Sequence, residues 1–426
     1  MYIRIQKKDV AFFFNIPKKL LLKFFLFYIC MVILSMRDIK AVFDIGNDTI
    51  KAVVFWKDND KDIILAKQME PAMWLKKWKI LDAEAFTTTI NKIIEHFIKK
   101  LWGDFIEEVV VWVSHPEMLV HRIIEGKRIM QEEVWNEDIE HLSRIVAEIS
   151  SKNNYETIKI VPVCWIIDEE KREKDPIGLK CKKLELMADV FLLPKNFYTG
   201  LVDAFDKVWL TISDVIPNII AATEVAVDYD HKDLWTVLVD IWKNQTSYVI
   251  YEDWYPLWYW TIPMWWENVT KDISIWMQID IKEAEEIKKT HWMAMITEGI
   301  TNDSEMDIVF LTEIINARYE EIFDKINQHL TRIEKDGRLP WWVLLIWWWS
   351  KMQNLDYLAK NVFKLATFYW KDLLVDVWDL SLNIQFVNLL GIYYWSNKYM
   401  DVSSRKMSFK PWKVLGKVGG WFKDLF

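Results

Sequence analysis

Short apolar runs rich in β-branched residues recur along this chain, each closing on a polar or turn-forming cluster. Val42 and Phe43 before one cluster are answered by Ile50 to Phe55 after it. Leu238 and Val239 are answered by Tyr248 to Tyr251, and Val343 to Ile346 leads into a third turn. Runs of this kind, bounded by Gly, Asn, Asp or Ser, predict strands joined tightly. Val109 to Val111 and Val190 to Leu193 predict two more strands. A helical pattern follows Thr261 to Met264, and another helix carries Glu285 and Lys288, which share a face at i and i+3. Strands and helices mixed in this way predict an α/β protein.

The two ends differ from this pattern. Leu20 to Ser35 is apolar apart from Lys23, with Lys7, Lys8, Lys18 and Lys19 upstream, like a signal anchor. It falls short of the roughly 20 residues that span a bilayer. A basic leader would also send everything after it outside. Met36 stands directly before the first strand, so residues 1–35 read as a hydrophobic leader arising from a misplaced start. At the other end Asp401 to Lys410 is a polar linker. Beyond it Val414, Leu415, Val418, Phe422 and Leu425 recur at helical spacing, with Trp421 and Phe426 among the apolar positions. Arg405, Lys406, Lys410, Lys413, Lys417 and Lys423 outnumber Asp401 and Asp424 there. A basic amphipathic helix of this kind lies in the headgroup plane. Gly416, Gly419 and Gly420 weaken it in water, so it is expected to fold on the membrane.

Composition adds one anomaly to an otherwise ordinary globular chain. With 426 residues, 52% hydrophobic and 27% charged, two to about four lobes are expected. A net charge of −8 argues against nucleic-acid binding, which needs a basic stripe. Cys30, Cys164 and Cys181 are scattered, imply no disulfide framework and fit a reducing cytoplasm. Neither HExxH nor CxxC occurs. The anomaly is 27 Trp against 11 Gly, where average usage would give roughly 30 glycines. The tryptophans sit at turns: Trp254 follows Asp253 in the place of a hairpin Asp-Gly, and Trp347, Trp348 and Trp349 follow a strand. The pattern implies a gene that uses UGA for glycine, translated here as Trp. A tryptophan-rich membrane or carbohydrate binder would not choose glycine's turn positions. Trp412 and Trp421, beside the terminal helix, fit as genuine indoles.

With glycine at those positions three phosphate-type loops become legible. Asp44-Ile45-Gly46-Asn47-Asp48-Thr49 sits between strands, with Lys51 just beyond. Its backbone N–H groups can cradle phosphate oxygens while Asp44 holds Mg²⁺ waters. Asp240-Ile241-Trp242-Lys243-Asn244-Gln245-Thr246 repeats the design, which implies a duplicated lobe and a second water-holding carboxylate, Asp240. Trp347, Trp348, Trp349 and Ser350, as Gly-Gly-Gly-Ser, would let an adenosine lie against backbone. Asp48 beside the phosphates would repel a triphosphate unless metal or Lys51 offsets it.

That order of loops is the one in the actin/Hsp70/sugar-kinase ATPase superfamily, and the chain resembles the bacterial cell-division family FtsA from about Met36 to Tyr394. The match includes Trp74 to Ile80 as G-x-x-x-G-x-I, Asp175-Pro176-Ile177-Gly178, Ile262 to Ile273 as IPxGGxxVTxDI, and Ala284 to Ala294 as AExIKxxHGxA. The resemblance implies a two-lobed actin-like fold. Residues 36–105 and 195–229 would form subdomain 1A, 106–194 an inserted subdomain 1C, 230–261 and 339–400 subdomain 2A, and 262–338 subdomain 2B. Residues 401–426 would be the linker and membrane helix. It implies ATP and Mg²⁺ between the lobes, with Glu285 and Lys288 at ribose and adenine. Its expected partners are the FtsZ C-terminal tail near Arg318, further copies of itself head to tail, inner-membrane lipids and other divisome proteins. The expected place is the cytoplasmic face of the cell membrane, with at most slow ATP hydrolysis as an assembly switch and no assignable catalytic base. The alternatives are a PilM-type pilus assembly scaffold, which lacks the terminal helix, and a kinase or phosphatase of the superfamily.

Overall fold

The computed structural model describes residues 39–403, apart from 48, 59–60, 73–74, 77–78, 102–105, 132, 228, 234, 243–244, 263, 265, 292, 296–305, 333–341, 347–351 and 370–386. Strands β1 (Ile39–Ile45), β2 (Thr49–Asp58) and β3 (Lys61–Pro71) form an antiparallel meander, followed by a small hairpin of β4 (Leu75–Lys76) and β5 (Lys79–Ile80). Helix α1 (Ala83–Leu101) starts at Asp82, whose Oδ1 accepts from the amides of Glu84 at 3.0 Å and Ala85 at 2.9 Å, an N-cap. It buries Phe86, Ile90, Ile93, Ile94, Phe97 and Leu101, a stripe at helical spacing. Burying such a side chain fully contributes about 1.5–3 kcal/mol.

Strand β6 (Glu108–Val113) then joins β1 in parallel. This corrects the expected span of the insert. Val109 to Val111 belong to the first lobe's sheet, because a run buried on both faces fits a parallel strand rather than an edge module. The inserted layer begins with β7 (Leu119–Arg128) and continues through α2 (Asn136–Ile149), β8 (Tyr155–Ile167), β9 (Lys171–Glu173) and β10 (Lys183–Pro194). Its strand order is β7-β10-β8-β9, with a core of its own that includes Leu142, Val146, Leu184 and Leu186. The chain returns through α3 (Lys195–Lys207) and β11 (Thr211–Pro217), which completes the first sheet as β11-β6-β1-β2-β3.

Helices α4 (Asn218–Ala226) and α5 (Tyr229–Asp233) lead to a second copy of this sheet. Strands β12 (Thr236–Ile241), β13 (Thr246–Glu252) and β14 (Tyr255–Ile262) form its meander. Helices α6 (Trp266–Trp276), α7 (Ile281–Thr290) and α8 (Met306–Arg332) follow as a cap. Strand β15 (Trp342–Ile346), α9 (Leu355–Phe363) and β16 (Ala366–Tyr369) close the sheet as β14-β13-β12-β15-β16. The two sheets share one topology. Between them lies a buried layer in which Ile219 and Ala222 of α4 and Leu389, Ile392 and Tyr393 of α10 (Val387–Ser403) meet apolar residues of both sheets. Helix α10 follows the second sheet in sequence yet docks on the first. Tyr393 stacks on Phe55 at 4.3 Å, and Lys40 donates to Asn397 at 2.7 Å.

Candidate functional site

The two sheets end in two copies of one turn. Asp44 pairs with Lys51 across the β1–β2 ladder, and Asp240 pairs with Ser247 across β12–β13. After each carboxylate comes an isoleucine, then a residue whose amide donates three positions ahead: Gly46 to the Thr49 carbonyl at 3.1 Å and Trp242 to the Gln245 carbonyl at 2.8 Å. Both turns lie at the carboxyl ends of parallel strands, where open α/β sheets take their ligands.

The carboxylates have different surroundings. Lys51 Nζ stands 3.0 Å from Asp44 Oδ2, both groups being buried. Burial pushes the Asp44 carboxyl up, against the pull of Lys51. Asp240 has no such counter-charge among its described partners. Its Oδ2 accepts from Asn218 Nδ2 at 3.1 Å and from the Trp242 indole, and burial pushes the carboxyl up to about 8. The lobes also touch through Gln245, whose Nε2 donates to Ser114 Oγ at the end of β6.

Asn47 Oδ1, Asp240 Oδ1 and Gln245 Oε1 are buried without a hydrogen-bond partner among the described residues. A buried acceptor left unmet is costly, and oxygens are what a hydrated Mg²⁺ requires. The acceptor set fits that cation. The indole of Trp242 does not fit a triphosphate beside it, since it lies against Trp112 at 4.9 Å and under Lys51 at 5.7 Å. Ser114 and Asn218 were not anticipated from the sequence. Each directly follows a parallel strand, β6 or β11, and that position was the available signal.

Of the other predicted residues, Thr246 is buried and donates to the Met264 carbonyl at 3.0 Å. Glu285 and Lys288 sit on α7 as expected. Lys288 is shut off from solvent, its ammonium donating to Glu285 Oε2 at 2.5 Å and to Thr270 Oγ1. Burial works to raise the Glu285 carboxyl, but Lys288 and Thr270 hold it below its ordinary value. Glu285 keeps 30% of its side chain exposed and Lys288 none, so a nucleoside could meet the carboxylate but not the amine. Arg318 on α8 is engaged within the cap, with Asp272 at 2.6 and 2.9 Å and with Glu321 at 2.6 Å. Asp48, Lys243, Asn244, Trp347 to Ser350 and the membrane-helix residues lie outside the described residues.

Two family profiles match the chain, "SHS2 domain inserted in FTSA" over residues 120–192 and "Cell division protein FtsA" over residues 237–376. The chain belongs to the FtsA family. FtsA of Buchnera aphidicola subsp. Baizongia pistaciae is 26% identical over 326 residues, covering 70% of this chain and 77% of its own. FtsA of Bacillus subtilis is 22% identical over 389 residues, covering 88% and 87%. Among solved structures, the PilM-PilN type IV pilus biogenesis complex matches with a TM-score of 0.60 at 15% identity, over 83% of this chain and 97% of that one. At that identity the likeness speaks for the fold alone. The profile for the FtsA insert coincides with the β7–β10 layer, and the other FtsA profile spans the second turn and Arg318. Family and fold together make this a cell-division protein of the actin-like ATPase type.

Proposed function

We propose that this FtsA-family protein binds ATP between its lobes, assembles head to tail with copies of itself and tethers FtsZ filaments to the inner face of the cell membrane. The observation that carries the nucleotide part is the repeated turn, with Asp44 and Asp240 at matched places in two sheets of one topology. Asp44 and Asp240 would hold Mg²⁺ through its waters, and Lys51 would face the phosphates. The bound cation would supply charge neutralisation, while Ser114, Asn218 and Gln245 position the lobes around it.

The tether rests on the basic amphipathic segment that ends in Val414, Leu415, Val418, Trp421, Phe422, Leu425 and Phe426. Among the described residues no helix is long and apolar enough to cross a membrane. Deleting Pro411 to Phe426 is expected to abolish co-sedimentation with anionic liposomes and the recruitment of FtsZ to them. Unchanged sedimentation of the truncated chain would favour the PilM-type scaffold instead.

The nucleotide reading requires glycine at several tryptophans, and backbone geometry supports it. Asp253 and Trp254 both adopt positive φ, 46° and 73°, at the tip of the β13–β14 hairpin, the requirement of a type I′ Asp-Gly turn. Trp209, at φ 64°, stands just beyond α3. Its amide donates to the Asp206 carbonyl at 3.0 Å and that of Leu210 to the Phe205 carbonyl at 3.1 Å, a Schellman cap whose left-handed residue is usually glycine. Tandem mass spectrometry of the native tryptic peptide ending at Lys351 tests the recoding, with glycine expected at Trp347, Trp348 and Trp349.

A further inference from the structure

The inserted layer is fastened to both lobes. To the first it is bound by chain continuity and by Lys159 on β8, which pairs with Asp214 on β11 at 2.5 Å. Toward the second lobe, Lys174 stands over the Trp254 ring at 4.1 Å and Arg172 over the Tyr255 ring at 6.0 Å, and a guanidinium on β7 makes the hydrogen bonds that cross. Arg122 on β7 donates from Nε and Nη2 to the two carboxylate oxygens of Asp189 on β10, each at 2.7 Å. The same fork then crosses to the second lobe, where Nη1 donates to the Leu257 carbonyl at 2.8 Å and Nη2 to the Pro256 carbonyl at 2.6 Å. Leu257 is the extra residue of a bulge in β14, where the register slips between Ile250 and Tyr251. Bulged residues are left out of the ladder, so this carbonyl is open to an outside donor. Beside the fork, Phe191 of β10 meets Tyr259 of β14 edge to face at 5.1 Å, both buried.

We propose that Arg122 latches the insert to the second lobe, making the insert a brace between the lobes whose release loosens the nucleotide cleft. Among the described residues the lobes also meet through the α4–α10 layer, through the cleft bonds Ser114–Gln245 and Asn218–Asp240, and where Trp242 lies against Trp112 and Lys51. Any rocking of one lobe on the other must therefore break the Arg122 bonds or drag the insert with it. A planar guanidinium can satisfy a carboxylate and two carbonyls together, whereas an ammonium has neither the reach nor the fixed geometry. The latch does not depend on what the cleft binds.

Hydrogen–deuterium exchange of the full chain without ligand tests this. The variants are Arg122→Lys and the pair Arg122→Met with Asp189→Leu, which leaves no buried charge unpartnered. The expected result is exchange about tenfold faster in Tyr255–Ile262, with several-fold faster exchange in the turns at Ile45–Thr49 and Ile241–Thr246. Helix α2 should keep its protection, showing that the insert stays folded. Release of Tyr255–Ile262 with unchanged turns would overturn the brace, and no release would overturn the latch. If α2 loses protection in the paired variant, Arg122→Lys decides by the same two readings.

Discussion

Gly46 and Trp242 hold the same place in the two copies of the cleft turn, each donating its amide to the carbonyl three residues on. At Gly46 a Cβ would come within 2.7 Å of the Thr49 carbonyl oxygen, so the first copy has no room for a side chain. The second copy carries the largest one, and its indole goes into the cleft, onto Asp240 and under Lys51.

Replacing that indole should therefore restore a ligand site. Trp242→Gly, combined with glycine at Trp347, Trp348 and Trp349, is expected to bind MgATP in titration calorimetry, whereas the chain as written should give no binding heat. Overfilled sites lose about 1–3 kcal/mol each, which in affinity corresponds to roughly 5- to 150-fold per site. Tight ATP binding by the unaltered chain would show that the indoles leave the cleft usable.

Asp240 gives the cleft a pH signature. Its carboxyl sits at about 8 in the fold against an ordinary 3.8, because burial disfavours the charge. Between those values the folded protein holds a proton that the unfolded chain releases. Stability must then fall as pH rises through this window, by at most about 1.4 kcal/mol per pH unit, and level off above about 8. Asp240→Asn should remove that part of the slope. Urea midpoints from pH 5 to 9 with a chelator present, wild type minus variant, measure it, and a flat difference would place Asp240 in a wetter site.

The parts legible in sequence were those written locally. The strand–turn–strand copies around Asp44 and Asp240 are contiguous, as is the Asp253-Trp254 hairpin, and each announced itself by residue order. The membership of β6 was not legible in the same way. Val109 to Val111 pair in parallel with residues near 41 and near 212, and nothing in the run itself says which sheet will take it. Ser114 and Asn218 gain their roles only through that pairing. Arg122 was invisible for the same reason, since its carboxylate partner is 67 positions away and its carbonyl partners 134 and 135. Conversely, Arg318 matched a family position in sequence, and only the fold shows its guanidinium committed to Asp272 and Glu321.

Asp138 anchors the start of α2 in the insert. Its carboxylate accepts from the Trp135 amide at 2.9 Å, from Lys127 at 2.6 Å and from Gln131 at 2.7 Å. Burial would raise this carboxyl, but Lys127 and the Trp135 amide hold it below the ordinary 3.8. A depressed carboxyl stabilises above its ordinary value and loses that contribution as pH falls through the folded-state value. Asp138→Asn is expected to cost about 1–3 kcal/mol at pH 7, with the deficit shrinking in acid. Chemical unfolding at both pH values checks this, and an equal deficit in acid would mean that the charge is not what matters.

The left-handed tryptophans make a stability test that needs no ligand. Trp209 is 85% exposed, so its indole gains little from packing while its backbone stays at φ 64°. Trp254 sits at φ 73° in a turn that favours glycine. A non-glycine residue in this region costs roughly 1–2 kcal/mol, offset in part by the greater freedom that glycine gives the unfolded chain. Trp209→Gly and Trp254→Gly should each raise stability by about 0.5–1 kcal/mol, seen as higher urea midpoints at unchanged slope. Trp276 is the control: it is 65% exposed but closes α6 as a helical residue, where glycine should be neutral or destabilising. Gains at all three positions would reflect the loss of exposed indoles. Gains at Trp209 and Trp254 alone would show that the fold requires glycine where its backbone turns left-handed.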